Sequence, residues 1–263
     1  MSRLTAQSLN LAFTRDGHRQ PVLQSLSLSM EKGESLVVLG PSGCGKSTLL
    51  NVIAGFQKPD RGQMRLDDRV LEGPGGERVV VFQDDALMPW LNAMDNVSLG
   101  LRIQGWGKAE RTERAHQLLQ LVGLQDHARQ AVTQLSGGQR QRLGLARALA
   151  VEPDFLLLDE PFGALDALTR ERMQALLLKL WRQTGKGLFM ITHSVDEALL
   201  LATELLVMDG PPARIVERLV VPFARRHAAG ESLRSIKADP DFSRLRQQLL
   251  DAVLATEELD HAY

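Results

Sequence analysis

The sequence predicts a mostly parallel α/β sheet built behind a phosphate-binding loop. Three observations carry that prediction. Residues 40–47 read Gly-Pro-Ser-Gly-Cys-Gly-Lys-Ser, a complete phosphate-loop motif. Short apolar runs at 35–39, 79–82, 155–158, 188–191 and 205–208 have the length and continuity of strands buried on both faces. Between them lie stretches of helical period. Met173, Leu176, Leu177, Leu180 and Trp181 form one, and Val195, Ala198, Leu199 and Ala202 another.

Taken in chain order, residues 3–30 hold short alternating segments such as Leu26-Ser27-Leu28-Ser29-Met30, which suit half-buried strands. The run 35–39 stops at a glycine-rich turn, so it reads as the strand that feeds the phosphate loop. Helix is expected over 48–54. The run 79–82 is a strand ended by Gln83. From Asp84 to Gln134 the strand pattern stops, and Ala115, Leu118, Leu119 and Val122 make a helical stripe within 108–124. This predicts a helical subdomain, about 84–150, inserted in a domain spanning 1–210. Residues 211–263 open on Pro211-Pro212 and contain a helix-compatible stretch at 242–254. They are expected to form an extension packed on the same domain, with chemistry that composition does not reveal.

Length and composition bound the function. A chain of 263 residues, 44% apolar and 24% charged, suits one large or two small globular domains. A formal net charge of −1 gives no general reason to expect nucleic acid as a partner. The single cysteine, Cys44, excludes an internal disulfide framework and fits a reducing compartment. Met1-Ser2-Arg3-Leu4 opens no signal peptide, since polar and charged residues interrupt any apolar core. No apolar run approaches the ~20 residues of a membrane helix. The longest candidate, around 198–208, is broken by Glu204. Work at a membrane would therefore go through partners.

The chemistry starts in the phosphate loop. Glycines let backbone N–H groups converge on phosphate oxygens, and the following helix presents its positive end to the same anion. Gly40, Pro41, Ser42, Gly43, Cys44, Gly45, Lys46, Ser47 and Thr48 are thus the candidate nucleotide contacts. Lys46 supplies a cation for the β- and γ-phosphates, and Ser47 a hydroxyl for Mg²⁺. A carboxylate from a neighbouring strand must complete the metal site. Asp159 ends the apolar run 155–158 and supplies it. Glu160 follows, where a carboxylate can polarise the attacking water. A second anion-binding string, Ser136-Gly137-Gly138-Gln139, has small residues, exposed N–H groups and a helix expected to start near Gln139. The plainer reading of that string is a glycine turn capping a helix over 139–150.

The phosphate loop followed by Leu135-Ser136-Gly137-Gly138-Gln139 resembles the ATP-binding subunits of ABC transporters, and the likeness covers nearly the whole chain. It implies a P-loop NTPase fold of ABC ATPase type: a mostly parallel core sheet, an N-terminal antiparallel β subdomain and an inserted α-helical subdomain. It implies ATP and Mg²⁺ as ligands, and two copies of the chain paired head-to-tail, each signature closing over the nucleotide on the other's phosphate loop. Gln83 then falls where the family senses metal and water, and His193 where an imidazole bonds the γ-phosphate. Ala164-Leu165-Asp166 resembles the segment that crosses the dimer interface. Two positions depart from the commonest pattern. Phe13 stands where a tyrosine often stacks on adenine, its other reading being a core residue. Ser194 follows the histidine where aspartate is frequent.

Within that family the likeness is to the nitrate/sulfonate/taurine import group. It rests on Glu77-Arg78, Leu87-Met88-Pro89-Trp90 and Pro161–Ala167. The tail, with Phe223-Ala224-Arg225-Arg226, Gly230-Glu231-Ser232 and 235–240, is similar to the group's taurine-importing members. This implies a bacterial importer with a two-copy integral membrane permease, a periplasmic substrate-binding protein, and a place on the cytoplasmic face of the inner membrane. Import of another sulfonate or of nitrate is the alternative, and a non-transport ABC ATPase a more distant one. Residues 87–90 are expected to line a groove for a permease helix, or else to be buried against the insertion's own helices. Cys44, close to a helix N-terminus, is expected to be a stabilised, reactive thiolate that nucleotide protects, or else an inert buried thiol.

Overall fold

The computed structural model describes residues 2–84 and 86–260. Residues 1, 85 and 261–263, which fall in the predicted domain, insertion and extension, lie outside the described residues. In chain order the elements are β1 (Arg3–Arg15), β2 (His18–Glu31), β3 (Ser35–Leu39), α1 (Lys46–Ala54), β4 (Arg61–Leu66), β5 (Arg69–Leu71) and β6 (Arg78–Val81). Three helices follow: α2 (Ala93–Ile103), α3 (Lys108–Leu121) and α4 (Gly137–Ala150). Then come β7 (Phe155–Asp159), α5 (Ala167–Thr184), β8 (Gly187–Thr192), α6 (Val195–Leu201), β9 (Glu204–Asp209) and β10 (Arg214–Val220). Helices α7 (Phe223–Ala228), α8 (Leu233–Lys237) and α9 (Pro240–Asp260) close the chain. The chain divides into two compact units, one of residues 1–75 and 177–263 and one of residues 76–176, with the division falling inside α5.

The first unit carries an antiparallel sheet in the order β2-β1-β4-β5. Leu4 lies opposite Met30 on one side and Leu66 on the other. Leu4, Leu9, Leu11, Leu26, Leu28 and Met30 are buried, which the alternating sequence anticipated. The strands β4 and β5 escape sequence reading because they are short and only Met64 among their residues is buried. In the second sheet β3 lies between β8 and β9, parallel to both, and β10 adds antiparallel to β9. Every residue of β3 is buried, as an apolar run without alternation should be. The strand β10 falls after Pro211-Pro212, so residues beyond 210 extend this sheet before the chain turns helical. Phe223 of α7 and Phe242 of α9 meet edge to face with centroids 5.0 Å apart. Beside them Arg226 bonds both Glu231 oxygens at 2.8 Å.

In the second unit β6 and β7 pair in parallel, with Val81 aligned to Leu158. The predicted helical stripe is real: Ala115, Leu118 and Leu119 of α3 are buried, as are Val97 and Leu101 of α2 and Leu143 of α4. The helix α2, unresolved in the sequence pattern, begins at an Asn92 cap whose Oδ1 accepts from Asp95 N at 2.7 Å. Its first amides are held by the segment before α4. Ala93 N donates to Gln130 O and Met94 N to Ala128 O.

Candidate nucleotide-binding site

In the first unit β3 runs straight into the phosphate loop. Leu39 is aligned with Thr192 of β8, so Gly40 and His193 leave the sheet at the same edge. Gly40 must lack a side chain, since a Cβ there would collide with the Met208 carbonyl. Gly45 takes a left-handed φ of 103° and hands the chain to α1, which starts at Lys46, two residues earlier than the pattern indicated. That helix has no side-chain cap and no acid in its first turn. Its leading N–H groups are therefore available to an anion, with the helix dipole behind them. Lys46 Nζ donates to Gly40 O at 2.8 Å and to Pro41 O at 2.6 Å, so the buried ammonium is braced across the loop. Ser42 and Ser47 are exposed. The loop's charge, donors and missing Cβ atoms fit a phosphate chain.

His193 is exposed just beyond β8. Ser194 after it is the N-cap of α6, its Oγ accepting from Glu197 N at 3.4 Å. Serine thus does the capping work that aspartate would do, which accounts for the departure at this position. Phe13 lies on β1 opposite Gln20 and is 44% exposed. The core reading of Phe13 is thereby corrected. Near that strand end Val22 O lies 3.3 Å from where a Cβ on Gly45 would stand, which sets the β1–β2 ribbon beside the phosphate loop.

In the second unit the carboxylates and Gln83 share an edge. Asp159 is the last residue of β7, and Gln83 follows β6 by two residues. With Val81 beside Leu158, both leave in the same direction. Gln83 Nε2 lies 3.5 Å from the Cβ position of Gly163, which places its amide over the turn that follows Glu160. Glu160 itself holds φ at +42°, a left-handed conformation uncommon for a residue with a side chain. Such strain is found where surrounding structure fixes a group for use. Gln141 of α4 donates to Pro161 O at 2.6 Å, tying the signature helix to the same turn.

The signature string forms the N-terminus of α4, which begins at Gly137 and not near Gln139. Ser136 is its N-cap within a reciprocal capping box. Ser136 Oγ accepts from Gln139 N at 3.3 Å, and Gln139 Oε1 accepts from Ser136 N at 2.7 Å. The glycine-turn reading is thus physically present: the serine does cap its helix. A Cβ on Gly138 would lie 2.7 Å from Thr169 Cγ2, so any side chain there would displace Thr169. Downstream, Asp166 caps α5, its Oδ1 accepting from Thr169 N at 3.0 Å and Leu168 N at 3.1 Å. Hydrogen bonding from the Thr169 side chain, then from its backbone, holds the Asp166 carboxyl below the usual range. Sequence reading missed one partner. Gln139 Nε2 lies 2.7 Å from His127 Nε2, across a turn that no local pattern links to the signature.

Two expectations resolve in opposite directions, one against the plainer reading and one for it. Trp90 is 76% exposed, while Leu87 is buried at 8%. Burial of the whole segment within the insertion is therefore excluded, and Trp90 is displayed. Cys44 goes the other way. It is 1% exposed, and burial pushes its thiol up, outweighing the opposing Lys46 charge. The stabilised thiolate expected from the nearby helix N-terminus is corrected: desolvation wins. We predict slow maleimide labelling of the native protein, little changed by MgATP, and rapid labelling once it is denatured. Fast labelling of native protein that binds nucleotide normally would overturn this.

Comparison with known proteins adds relatives. The ABC transporter family model matches residues 23–163. The taurine import ATP-binding protein TauB of Pseudomonas aeruginosa PAO1 is 76% identical over 263 residues, covering 100% of both chains. TauB of Escherichia coli K12 is 55% identical over 239 residues, covering 91% of this chain and 94% of that protein. Among solved structures, the dimeric ATP-binding cassette MJ0796 in a post-hydrolysis state with ADP and phosphate superposes with a TM-score of 0.73 at 29% identity. The match covers 83% of this chain and 98% of that one.

Proposed function

We propose, from the premise that this chain belongs to the ABC transporter family, that it is the ATP-hydrolysing subunit of a taurine importer. The observation that carries the reading is the end-to-end match to a taurine-import ATP-binding protein at 76% identity. The phosphate loop supports the chemistry, with its braced Lys46 and its uncapped helix terminus. No described helix is long and apolar enough to cross a membrane. In this reading energy reaches the solute through a membrane permease. The cytoplasmic face of the bacterial inner membrane and a periplasmic binding protein complete the proposed assembly. The ATPase need not touch taurine, and no pocket residue is assigned to it.

The residues take the following roles in this reading. The loop from Gly40 to Thr48 binds the phosphates through backbone N–H groups, and Lys46 neutralises the β- and γ-phosphate charge. Phe13 offers its exposed ring to adenine. Ser47, Asp159 and Gln83 would hold Mg²⁺, which supplies charge neutralisation to the leaving phosphate. Glu160, fixed by its unusual backbone, orients and deprotonates the attacking water. His193 donates to the γ-phosphate. Ser136, Gly137, Gly138 and Gln139 close over the nucleotide of a second copy, since Ser136 and Gly137 leave this end of α4 exposed. Closure of the two copies on ATP, and release after hydrolysis, drives the permease. Trp90, displayed on the surface after Gln83, meets it.

The experiment is reconstitution with permease and binding protein. Taurine-loaded binding protein should stimulate ATP hydrolysis, and Trp90→Ala should reduce that stimulation severalfold while ATP binding stays unchanged. Stimulation by nitrate or another sulfonate, but not by taurine, would reassign the solute. Full coupling in Trp90→Ala would remove that residue from the permease contact.

A further inference from the structure

The signature cap is not held by its own helix alone. Gln139 Oε1 accepts the Ser136 N–H at 2.7 Å, and this fixes which end of the amide is which. The Nε2 end then faces His127 Nε2 at 2.7 Å. An amide NH₂ only donates, so the imidazole nitrogen facing it must accept. That requires a neutral ring with its proton on Nδ1. The other tautomer, or the imidazolium, would set two donors against each other. It would turn the amide over and place its NH₂ against the Ser136 N–H, breaking the capping box.

The rest of the turn supports this reading. His127 Nδ1 is buried with no hydrogen-bond partner among the described residues. A buried donor without a partner costs stability, so packing alone gives no reason for an imidazole here. The same turn grips α4 once more: Arg142, one turn along from Gln139, donates from Nη1 to Val122 O at 3.2 Å and to Gly123 O at 3.3 Å. On its other side the turn receives the amides of Ala93 and Met94 at the start of α2, just after the segment that displays Trp90. The turn thus touches both the signature cap and the root of the displayed segment.

We propose that His127 is a positioning residue for ATP hydrolysis: as a neutral Nδ1–H imidazole it accepts from Gln139 Nε2 and so locks Ser136 for action on the partner copy's nucleotide. This rests on the reading of Ser136 given above. His127 does not touch nucleotide and acts through Gln139. It fixes the amide of a long side chain that would otherwise rotate, and with it the direction of the Ser136 N–H and hydroxyl.

The test uses the full chain assembled with its permease. His127→Leu removes the acceptor and keeps an apolar body. We expect kcat to fall about tenfold, with KM for MgATP nearly unchanged, the size expected when one buried polar partner is lost. His127→Gln places an acceptor oxygen close to the former Nε2, so no buried donor is left unpaired, and it should recover kcat to within about twofold of the parent. In the unmodified protein, ¹⁵N NMR of the imidazole should show the Nδ1–H tautomer. An Nε2–H tautomer, a His127→Leu kcat equal to the parent's, or a His127→Gln no better than His127→Leu would each overturn the proposal. If the leucine variant does not fold, the tautomer and the glutamine variant decide. Ser136→Arg serves as the control. Full activity there would overturn the role of Ser136, whereas inactive Ser136→Arg beside fully active His127→Leu would overturn only the role of His127.

Discussion

Glu160→Gln should bind MgATP normally and hydrolyse it about 10²–10⁴-fold more slowly, the usual loss when a general base is removed. The substitution is nearly isosteric, so the left-handed turn after β7 that holds residue 160 should persist. What disappears is the carboxylate's capacity to take a proton from water. The variant should therefore accumulate as an ATP-bound dimer, visible by size-exclusion chromatography with ATP and lost with ADP. Lys46→Ala should differ in kind. It removes the ammonium braced on the Gly40 and Pro41 carbonyls, and ATP affinity should fall together with turnover. Near-normal turnover of Glu160→Gln in the assembled transporter would take the catalytic role away from this residue.

Mixed dimers of Lys46→Ala and Ser136→Arg chains should turn over ATP when homodimers of either do not. If each site takes its phosphate loop from one copy and its signature from the other, the mixed dimer puts both defects in one site and leaves the second intact. A homodimer of either variant has no intact site. Arginine at 136 replaces the N-cap hydroxyl of α4 and fills the exposed end of that helix. Single-turnover measurement on tagged, purified heterodimers reads the surviving site directly. Heterodimers as inactive as both parents would argue against shared sites.

Much of the site was legible in the sequence because its chemistry is local. A phosphate loop needs an apolar strand, glycines at fixed steps and a helix start, and all three lie within residues 35–54. A carboxylate pair at the end of a buried run is equally local, and so is a cap such as Ser194, once its helix is known. Family likeness then suggested roles that no spacing gives, among them those proposed for Gln83 and His193. The strands β4, β5 and β10 were not legible, because β4 and β5 are short with Met64 their one buried residue, and in β10 apolar residues such as Val216 and Val220 are exposed, so apolarity there does not follow burial.

The sequence by itself determined that this chain handles a nucleoside triphosphate, and with its relatives it determined the family. Only the tertiary structure decided what surrounds each group. Cys44 sits at a helix start that should favour a thiolate, yet burial raises its pKa, because desolvation is set by whatever packs around the sulfur. Trp90 and Leu87 are three residues apart in one apolar string, yet one is displayed and the other buried. Gln139 finds its acceptor in His127, twelve residues away across a turn. Local backbone chemistry is written in neighbouring residues. Solvation and hydrogen-bond partners depend on atoms that only folding brings close.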